Sequence, residues 1–330
     1  MSRDIPLLFA LHEARPFAER VARHLGIPLG TVAERTYEDG EYKCHPLEPV
    51  AGRPVVVFAG LYAEPGLSVH DKLCRLLFLC SSIKDAGASH LLVVSPYLCY
   101  SRKERRIQAQ DQVISRYIAT LLEASRVDSL ITMEAHNQAA LDNAFRIPTV
   151  NLENARLFAE GFIAWDDGGP VVVASPDLGG IKRAELFRQA LEVRLGRAIG
   201  HACVEKYRRD ETLSGGMLVG EVEGCTVILL DDLISTGSTL LRAAQACHAG
   251  GARRIFAMAT HGLFTEGTGL LESPLLQGVA ISDSVPLPGV ERALKAGRLI
   301  VVDTAESIAA TLVARYGLIH NADVHKSPSA

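Results

Sequence analysis

The sequence has no excess of positive charge. Lys and Arg number 34 against 38 Asp and Glu, giving a net charge of −4 with histidine neutral. No broad basic face is expected, and nucleic acid is not an expected partner. No apolar run is long enough to cross a bilayer, so no membrane association is expected. The opening residues, Met1, Ser2, Arg3, Asp4, Ile5 and Pro6, lack the plan of a signal peptide. Paired cysteines are also missing. The seven present, Cys44, Cys74, Cys80, Cys99, Cys203, Cys225 and Cys247, include no CxxC. An odd, dispersed set reads as reduced thiols of a cytoplasmic protein, mostly packed as small apolar side chains. A thiol nucleophile has no support.

Apolar residues are plentiful. They make up 48% of the 330 residues, enough for about two packed domains. Strand-like apolar runs recur at 7–11, 55–58, 91–95, 130–133, 171–174, 227–230, 255–259 and 299–302. Helical periodicity fills many gaps between them, at 17–25, 72–86, 113–124, 181–195 and 240–248. The alternation predicts an α/β fold with mostly parallel sheets flanked by helices. The plan is stated twice, with a join near 148–153, and the run at 91–96 has a counterpart at 171–176. Two similar domains are expected, 1–152 and 153–330, with a frayed polar tail from His320 to Ala330.

The most informative stretch begins with the apolar run 227–230. Asp231 and Asp232 follow, then Ser235, Thr236, Gly237, Ser238 and Thr239, then a helical run. In an open α/β sheet, ligands sit at the carboxyl ends of strands. A loop of small residues entering a helix offers N–H groups, hydroxyls and a positive dipole end to a phosphate. The two aspartates repel a phosphate but suit neutral hydroxyls or a cation. A ribose 5-phosphate unit has both ends. The plain alternative is an Asx turn and an N-capped helix. The pattern resembles the phosphoribosyl pyrophosphate (PRPP) loop of the type I phosphoribosyltransferase fold.

Five further segments stand out. Tyr37, Asp39, Gly40 and Glu41 form a hairpin-turn pattern around an Asp-Gly pair, or an aromatic and carboxylate face for a purine. After the 91–95 run come Tyr97 and Tyr100, then Arg102, Lys103, Glu104, Arg105 and Arg106. Their charge suits a polyphosphate, or ion pairs through Glu104 in a solvated loop. Glu134 and His136 share a face in extended chain and suit a divalent ion, directly or through water. Asp177, Gly179 and Gly180 end a strand and open a helix. They suit Mg²⁺ or a sugar hydroxyl, or simple capping. Lys206 and Arg208 would face one side of an extended arm or loop. They suit charge growing on a phosphoryl group, or a solvated hairpin edge.

Together, and in this order, these segments resemble ribose-phosphate pyrophosphokinase, also called PRPP synthase. The resemblance runs over nearly the whole chain. It implies two tandem phosphoribosyltransferase-like domains, with ATP-binding elements in the first and the ribose 5-phosphate loop in the second. It implies a homo-oligomer built on dimers, often a hexamer. It implies transfer of the diphosphoryl group of ATP to the anomeric hydroxyl of ribose 5-phosphate, with Mg²⁺, giving PRPP and AMP. It assigns Tyr37, Asp39, Gly40, Glu41, Arg102, Lys103 and His136 to ATP, the hairpin across a subunit boundary. His136 and Asp177 fall to Mg²⁺, Lys206 and Arg208 to catalysis, and Asp231, Asp232 and residues 235–239 to ribose 5-phosphate. The family's usual Arg-Gln-Asp reads Arg102, Lys103, Glu104 here. Its Asp-Leu-His reads Glu134, Ala135, His136, and its Asp-His-Gly-Gly has Leu178 for the His. Ser235 stands where it favours an acid. A catalytically silent regulatory paralogue, or a transferase that consumes PRPP, are the alternative readings.

Overall fold

The structure, a computed structural model, describes residues 5–209 and 212–318, and for 206–209 and 212–216 the backbone alone. The expectation for the tail at 320–330 lies outside the described residues. The chain divides into two compact units, Met1–Leu152 with Thr304–Ala330, and Glu153–Asp303.

Unit 1 holds β1 (Leu7–Ala10), α1 (Arg15–Leu25), β2 (Val32–Thr36), β3 (Tyr42–Pro46), β4 (Pro54–Phe58) and α2 (Val69–Asp85). It continues with β5 (His90–Val94), α3 (Ile114–Ala124), β6 (Ser129–Met133), α4 (Gln138–Ala144) and β7 (Thr149–Leu152). Its sheet is parallel, in the order β1-β4-β5-β6-β7. Val55, Val56, Val57 and Phe58 are all fully buried, as a strand covered on both faces requires. Odd-numbered members of β4 pack with α2 and α3, and even-numbered ones with α1. Helix α2 starts at a capping box: Asp71 N–H donates to Ser68 Oγ at 3.2 Å, and Ser68 N–H donates back to Asp71 Oδ2 at 2.9 Å.

Unit 2 holds α5 (Ala155–Phe162), β8 (Val171–Ser175), α6 (Ile181–Leu195), β9 (Gly200–Arg209), β10 (Thr212–Val219) and β11 (Thr226–Ile234). It ends with α7 (Ser238–Ala249), β12 (Arg254–Gly262), β13 (Gly278–Ser282), α8 (Glu291–Lys295) and β14 (Leu299–Val302). The sheet order is β10-β9-β8-β11-β12-β13-β14, parallel except for the β9–β10 pair. After β8 the chain moves outward to β9 and β10, then returns to lay β11 on the other side of β8. Strand order therefore reverses between β8 and β11, and their carboxyl ends flank a topological switch point.

The parallel α/β architecture agrees with the sequence pattern, and one compact unit runs to Leu152 before the other begins at Glu153. The end of the chain does not follow the expected division at 153–330. Helix α9 (Ala305–Tyr316) packs in unit 1. Ala305, Ile308, Ala309 and Leu312 recur at helical spacing and are completely buried in one cluster with Ala18, Val21 and Ala22 of α1. Arg315 fastens the far end by donating to Ser129 Oγ at 2.8 Å. Burying Ile308 and Leu312 contributes about 1.5–3 kcal/mol each, which fixes the helix where that apolar face is covered.

Candidate functional site

The candidate residues fall on strand ends, on the loops that follow them and on two hairpins. In unit 2, β11 is longer than the apolar run suggests. It extends to Ile234, so Asp231 and Asp232 lie inside the strand rather than after it. Pairing with β8 stops at Leu229 opposite Ala174, while pairing with β12 continues to Ile234 opposite Gly262. The aspartates thus stand where β11 outruns β8, at the switch point.

Arg183, in the first turn of α6, answers their charge. Its guanidinium lies 3.6 Å from Asp232 Oδ1 and 4.0 Å from Asp231 Oδ1. Burial is the largest influence on Asp231 and pushes its pKa up, and the neighbouring Asp232 pushes it further, to about 8. Arg183 opposes both. An acid raised in the folded state keeps its proton while the unfolded chain loses one. Its contribution to stability therefore falls as pH rises from about 4 to about 8. Asp231→Asn removes this dependence. The thermal midpoint of the variant, relative to the unmodified protein, should rise between pH 5 and pH 8. Parallel midpoint curves would contradict the raised pKa.

The loop after β11 is short and braced. Ser238 N–H donates to Thr236 Oγ1 at 3.3 Å, and Thr236 Oγ1 and Ser238 Oγ are 3.0 Å apart. Thr265 N–H donates to the Ser235 carbonyl at 3.0 Å, and the two side-chain oxygens are 3.3 Å apart. Gly237 caps α7 at φ +82°, so the helix begins at Ser238, and Thr239 falls in its first turn. A Cβ on Gly237 would meet the Leu270 side chain at 3.3 Å. Gly237→Ala should cost about 1–2 kcal/mol through the left-handed backbone, read as a lowered thermal midpoint. An unchanged midpoint would mean that the loop relaxes without strain.

Beside this loop, β8 ends at Ser175. Asp177 Oδ1 accepts the N–H groups of Gly179 at 3.0 Å and Gly180 at 3.3 Å, so the capping role read for Asp177 is real. Gly180 is closely approached: a Cβ there would lie 2.6 Å from Ser175 Oγ, which would have to shift. The counterpart noted at 91–96 and 171–176 extends to side chains. Ser95 Oγ donates to the Tyr97 carbonyl at 2.9 Å, and Ser175 Oγ to the Asp177 carbonyl at 2.5 Å. Lys206 and Arg208 lie on β9, in a hairpin with β10. The expected arm or loop is thus a β-hairpin in its backbone, and the side chains of Lys206 and Arg208 lie outside what the structure describes.

In unit 1 the 37–41 segment is the turn of the β2–β3 hairpin. Tyr37 N–H donates to the Glu41 carbonyl at 2.7 Å, Glu41 N–H donates to Asp39 Oδ1 at 3.1 Å, and Gly40 has φ +89°. The turn is exposed, with the Arg35 guanidinium 4.5 Å from the Tyr37 ring centroid. Tyr42 donates to Glu34 Oε2 at 2.6 Å, and burial with that bond pushes the Tyr42 pKa far up. Glu34 also accepts the His12 N–H at 3.1 Å, which ties the hairpin to the end of β1.

The loops after β5 and β6 meet. Arg102 and Lys103 are exposed, and Glu104 Oε1 lies 3.4 Å from His136 Nδ1. Four non-glycine residues among those described have positive φ: Tyr100 (+61°) and Glu134 (+39°) in these loops, Phe264 (+45°) after β12, and Arg126 (+60°) after α3. Strained backbone of this kind gathers at functional sites. The Tyr100 hydroxyl is bonded to His70 Nε2 on α2, which braces the first of these turns. Arg183 and Glu34 were not singled out by sequence, and Glu104 was read only for ion pairs within its own loop. The thiols of Cys99 and Cys247 are buried and pushed up to about 12, which agrees with a packing role.

Among the described residues, no group of three or more His, Cys, Asp or Glu is arranged to hold a metal ion, and no helix is long and apolar enough to cross a membrane. Mg²⁺ does not need a protein cage. It takes one or two carboxylates, keeps waters and adds substrate phosphates. Asp177 fits that requirement as a carboxylate, and His136 fits better through water than directly.

Residues 6–125 match the N-terminal domain of ribose phosphate pyrophosphokinase. Residues 141–267 match the phosphoribosyl transferase domain, and 213–324 the phosphoribosyl synthetase-associated domain. Ribose-phosphate pyrophosphokinase 1 of Streptococcus pneumoniae serotype 4 is 32% identical over 283 residues, 85% of each chain. A Streptococcus agalactiae protein provisionally named ribose-phosphate pyrophosphokinase 2 is 33% identical over 280 residues, 84% of this chain and 83% of its own. The crystal structure of phosphoribosylpyrophosphate synthetase from Mycobacterium smegmatis superposes with a TM-score of 0.80, covering 94% of this chain and 98% of that one. At 23% identity it speaks for the fold. Sequence relatives and fold agree: this chain belongs to the ribose-phosphate pyrophosphokinase family.

Proposed function

We propose that the protein transfers the β,γ-diphosphoryl group of ATP to the anomeric hydroxyl of ribose 5-phosphate, releasing AMP and forming PRPP. The observation that carries this reading is the pairing, at one switch point, of two acids with a braced small-residue loop. Asp231 and Asp232 accept the ribose hydroxyls. The N–H groups and hydroxyls of Ser235, Thr236, Gly237, Ser238 and Thr239 hold the 5-phosphate at the start of α7. The fixed phosphate and hydroxyls orient the anomeric oxygen, which converts an encounter into a positioned attack.

Unit 1 supplies the nucleotide elements. Tyr37, Asp39, Gly40 and Glu41 form the adenine-facing hairpin turn, while Arg102, Lys103 and His136 serve the triphosphate. Lys206 and Arg208 neutralise charge on the diphosphoryl group in transit. Mg²⁺, when bound with the nucleotide, offsets phosphate charge. Asp177 and His136 are the residues that would hold it. The protein is read as cytoplasmic and as a homo-oligomer.

A silent paralogue is not favoured, because Lys206, Arg208, Asp177, Asp231 and Asp232 are all retained. A PRPP-consuming transferase is not favoured either, because residues 6–125 carry the kinase family's own N-terminal domain. The test is a product assay with Mg²⁺, ATP and ribose 5-phosphate. AMP and PRPP should appear in equal amounts. ADP in place of AMP would replace this reading with an ordinary kinase.

A further inference from the structure

The loops after β5 and β6 are joined by a carboxylate with an unusual setting. The Glu104 side chain is only 9% exposed. Its Oε2 is buried and has no hydrogen-bond partner. Oε1 carries both observed contacts, His136 Nδ1 at 3.4 Å and the Asn137 side-chain amide nitrogen at 3.3 Å. The orientation of Asn137 is not arbitrary. Its Oδ1 accepts the Ala140 N–H at 3.3 Å as the cap of α4, which leaves the amide nitrogen for Glu104.

Both sides of the contact are held by backbone. Lys103 N–H donates to the Tyr100 carbonyl at 2.9 Å, and Ser115 N–H donates to the Lys103 carbonyl at 3.2 Å. Glu134 N–H donates to the Leu152 carbonyl at 3.1 Å, and Ala135 N–H donates to Asn151 Oδ1 at 2.8 Å. The backbone on both sides of the Glu104–His136 contact is therefore anchored.

An ionised carboxylate only accepts hydrogen bonds. At 3.4 Å from Oε1 a lone pair on Nδ1 is repelled by the carboxylate, whereas a proton on Nδ1 turns the same contact into an attraction. The remaining ring nitrogen then carries the lone pair, which is the arrangement by which a second carboxylate sets the ligating atom of a histidine. We infer that Glu104 is a positioning residue for His136, holding the imidazole proton on Nδ1 and keeping Nε2 as the acceptor toward the nucleotide's divalent cation or its water. This inference rests on the assignment of His136 to the metal–nucleotide complex.

Two readouts test it, neither of them turnover. The first is the histidine tautomer, from long-range proton–nitrogen NMR spectra of the full-length protein at pH 8. His136 should carry its proton on Nδ1 in the unmodified protein and in Asn137→Ala, and on Nε2 in Glu104→Ala. The second is the binding of Mn²⁺ with a non-hydrolysable ATP analogue, followed by the paramagnetic signal of the ion. Glu104→Ala should weaken it about 10-fold, and Glu104→Gln, which keeps an oxygen acceptor in the same shape, should weaken it less. A proton on Nε2 in the unmodified protein would overturn the inference, as would equal Mn²⁺–nucleotide affinity in the unmodified protein and Glu104→Ala. No Mn²⁺–nucleotide binding to the unmodified protein would instead overturn the functional reading of the loop, and the tautomer result would still decide the role of Glu104.

Discussion

Lys206→Ala is expected to lower kcat about 10²- to 10³-fold, the usual loss when a group that stabilises transition-state charge is removed. KM for both substrates should change little, because the lost interaction strengthens only as charge builds on the diphosphoryl group. The backbone supports the assignment. Strand β9 pairs with β8 only as far as Cys203 opposite Ser175, then runs on to Arg209. The strands are parallel, so position 206 lies past the same edge from which Asp177 emerges. Arg208→Ala should fall the same way, and the double variant should lose less than the product of the two, since both would serve one charge. Steady-state kinetics under saturating Mg²⁺ checks this. A Lys206→Ala enzyme with unchanged kcat and raised KM would make the residue a ground-state binder.

Asp231→Asn should weaken ribose 5-phosphate about 10- to 100-fold at pH 9, the range for loss of a hydrogen bond to a charged group. The difference should narrow as pH falls through about 8, because Asp231 is itself neutral below its raised pKa. The sign follows from the pair: burial and Asp232 both favour the protonated acid, and ligand hydroxyls favour the ionised one. Titration calorimetry at pH 6.5 and pH 9 distinguishes this from a steric effect, which would be equal at both. Affinity unchanged at pH 9 would remove Asp231 from the sugar site.

The strands legible in the sequence are those with unbroken apolar runs, such as 55–58 and 227–230, because a strand covered on both faces leaves that trace. Strand β7 has Asn151 within four residues, and β13 opens with Gly278, so neither gives a clean run. The β9–β10 hairpin is polar and looks like a loop. Helix α9 is easily read as a helix, but its unit is decided by whose apolar surface covers Ile308 and Leu312, which no local pattern reports. In the site, Asp231 and Asp232 were legible because acids are costly at the end of a buried strand. Arg183 was not, because its partners lie on another element. Glu104 suggested ion pairs within its own loop, and its actual contacts are His136 and Asn137.

The central claim is that attack occurs at the β-phosphorus of ATP. The most direct measurement uses ATP labelled with ³²P at the β position, with ribose 5-phosphate and Mg²⁺, and separates the products. The account predicts all of the transferred label in the sugar product and none in AMP. Label recovered in ADP would place attack at the γ-phosphorus and contradict the account.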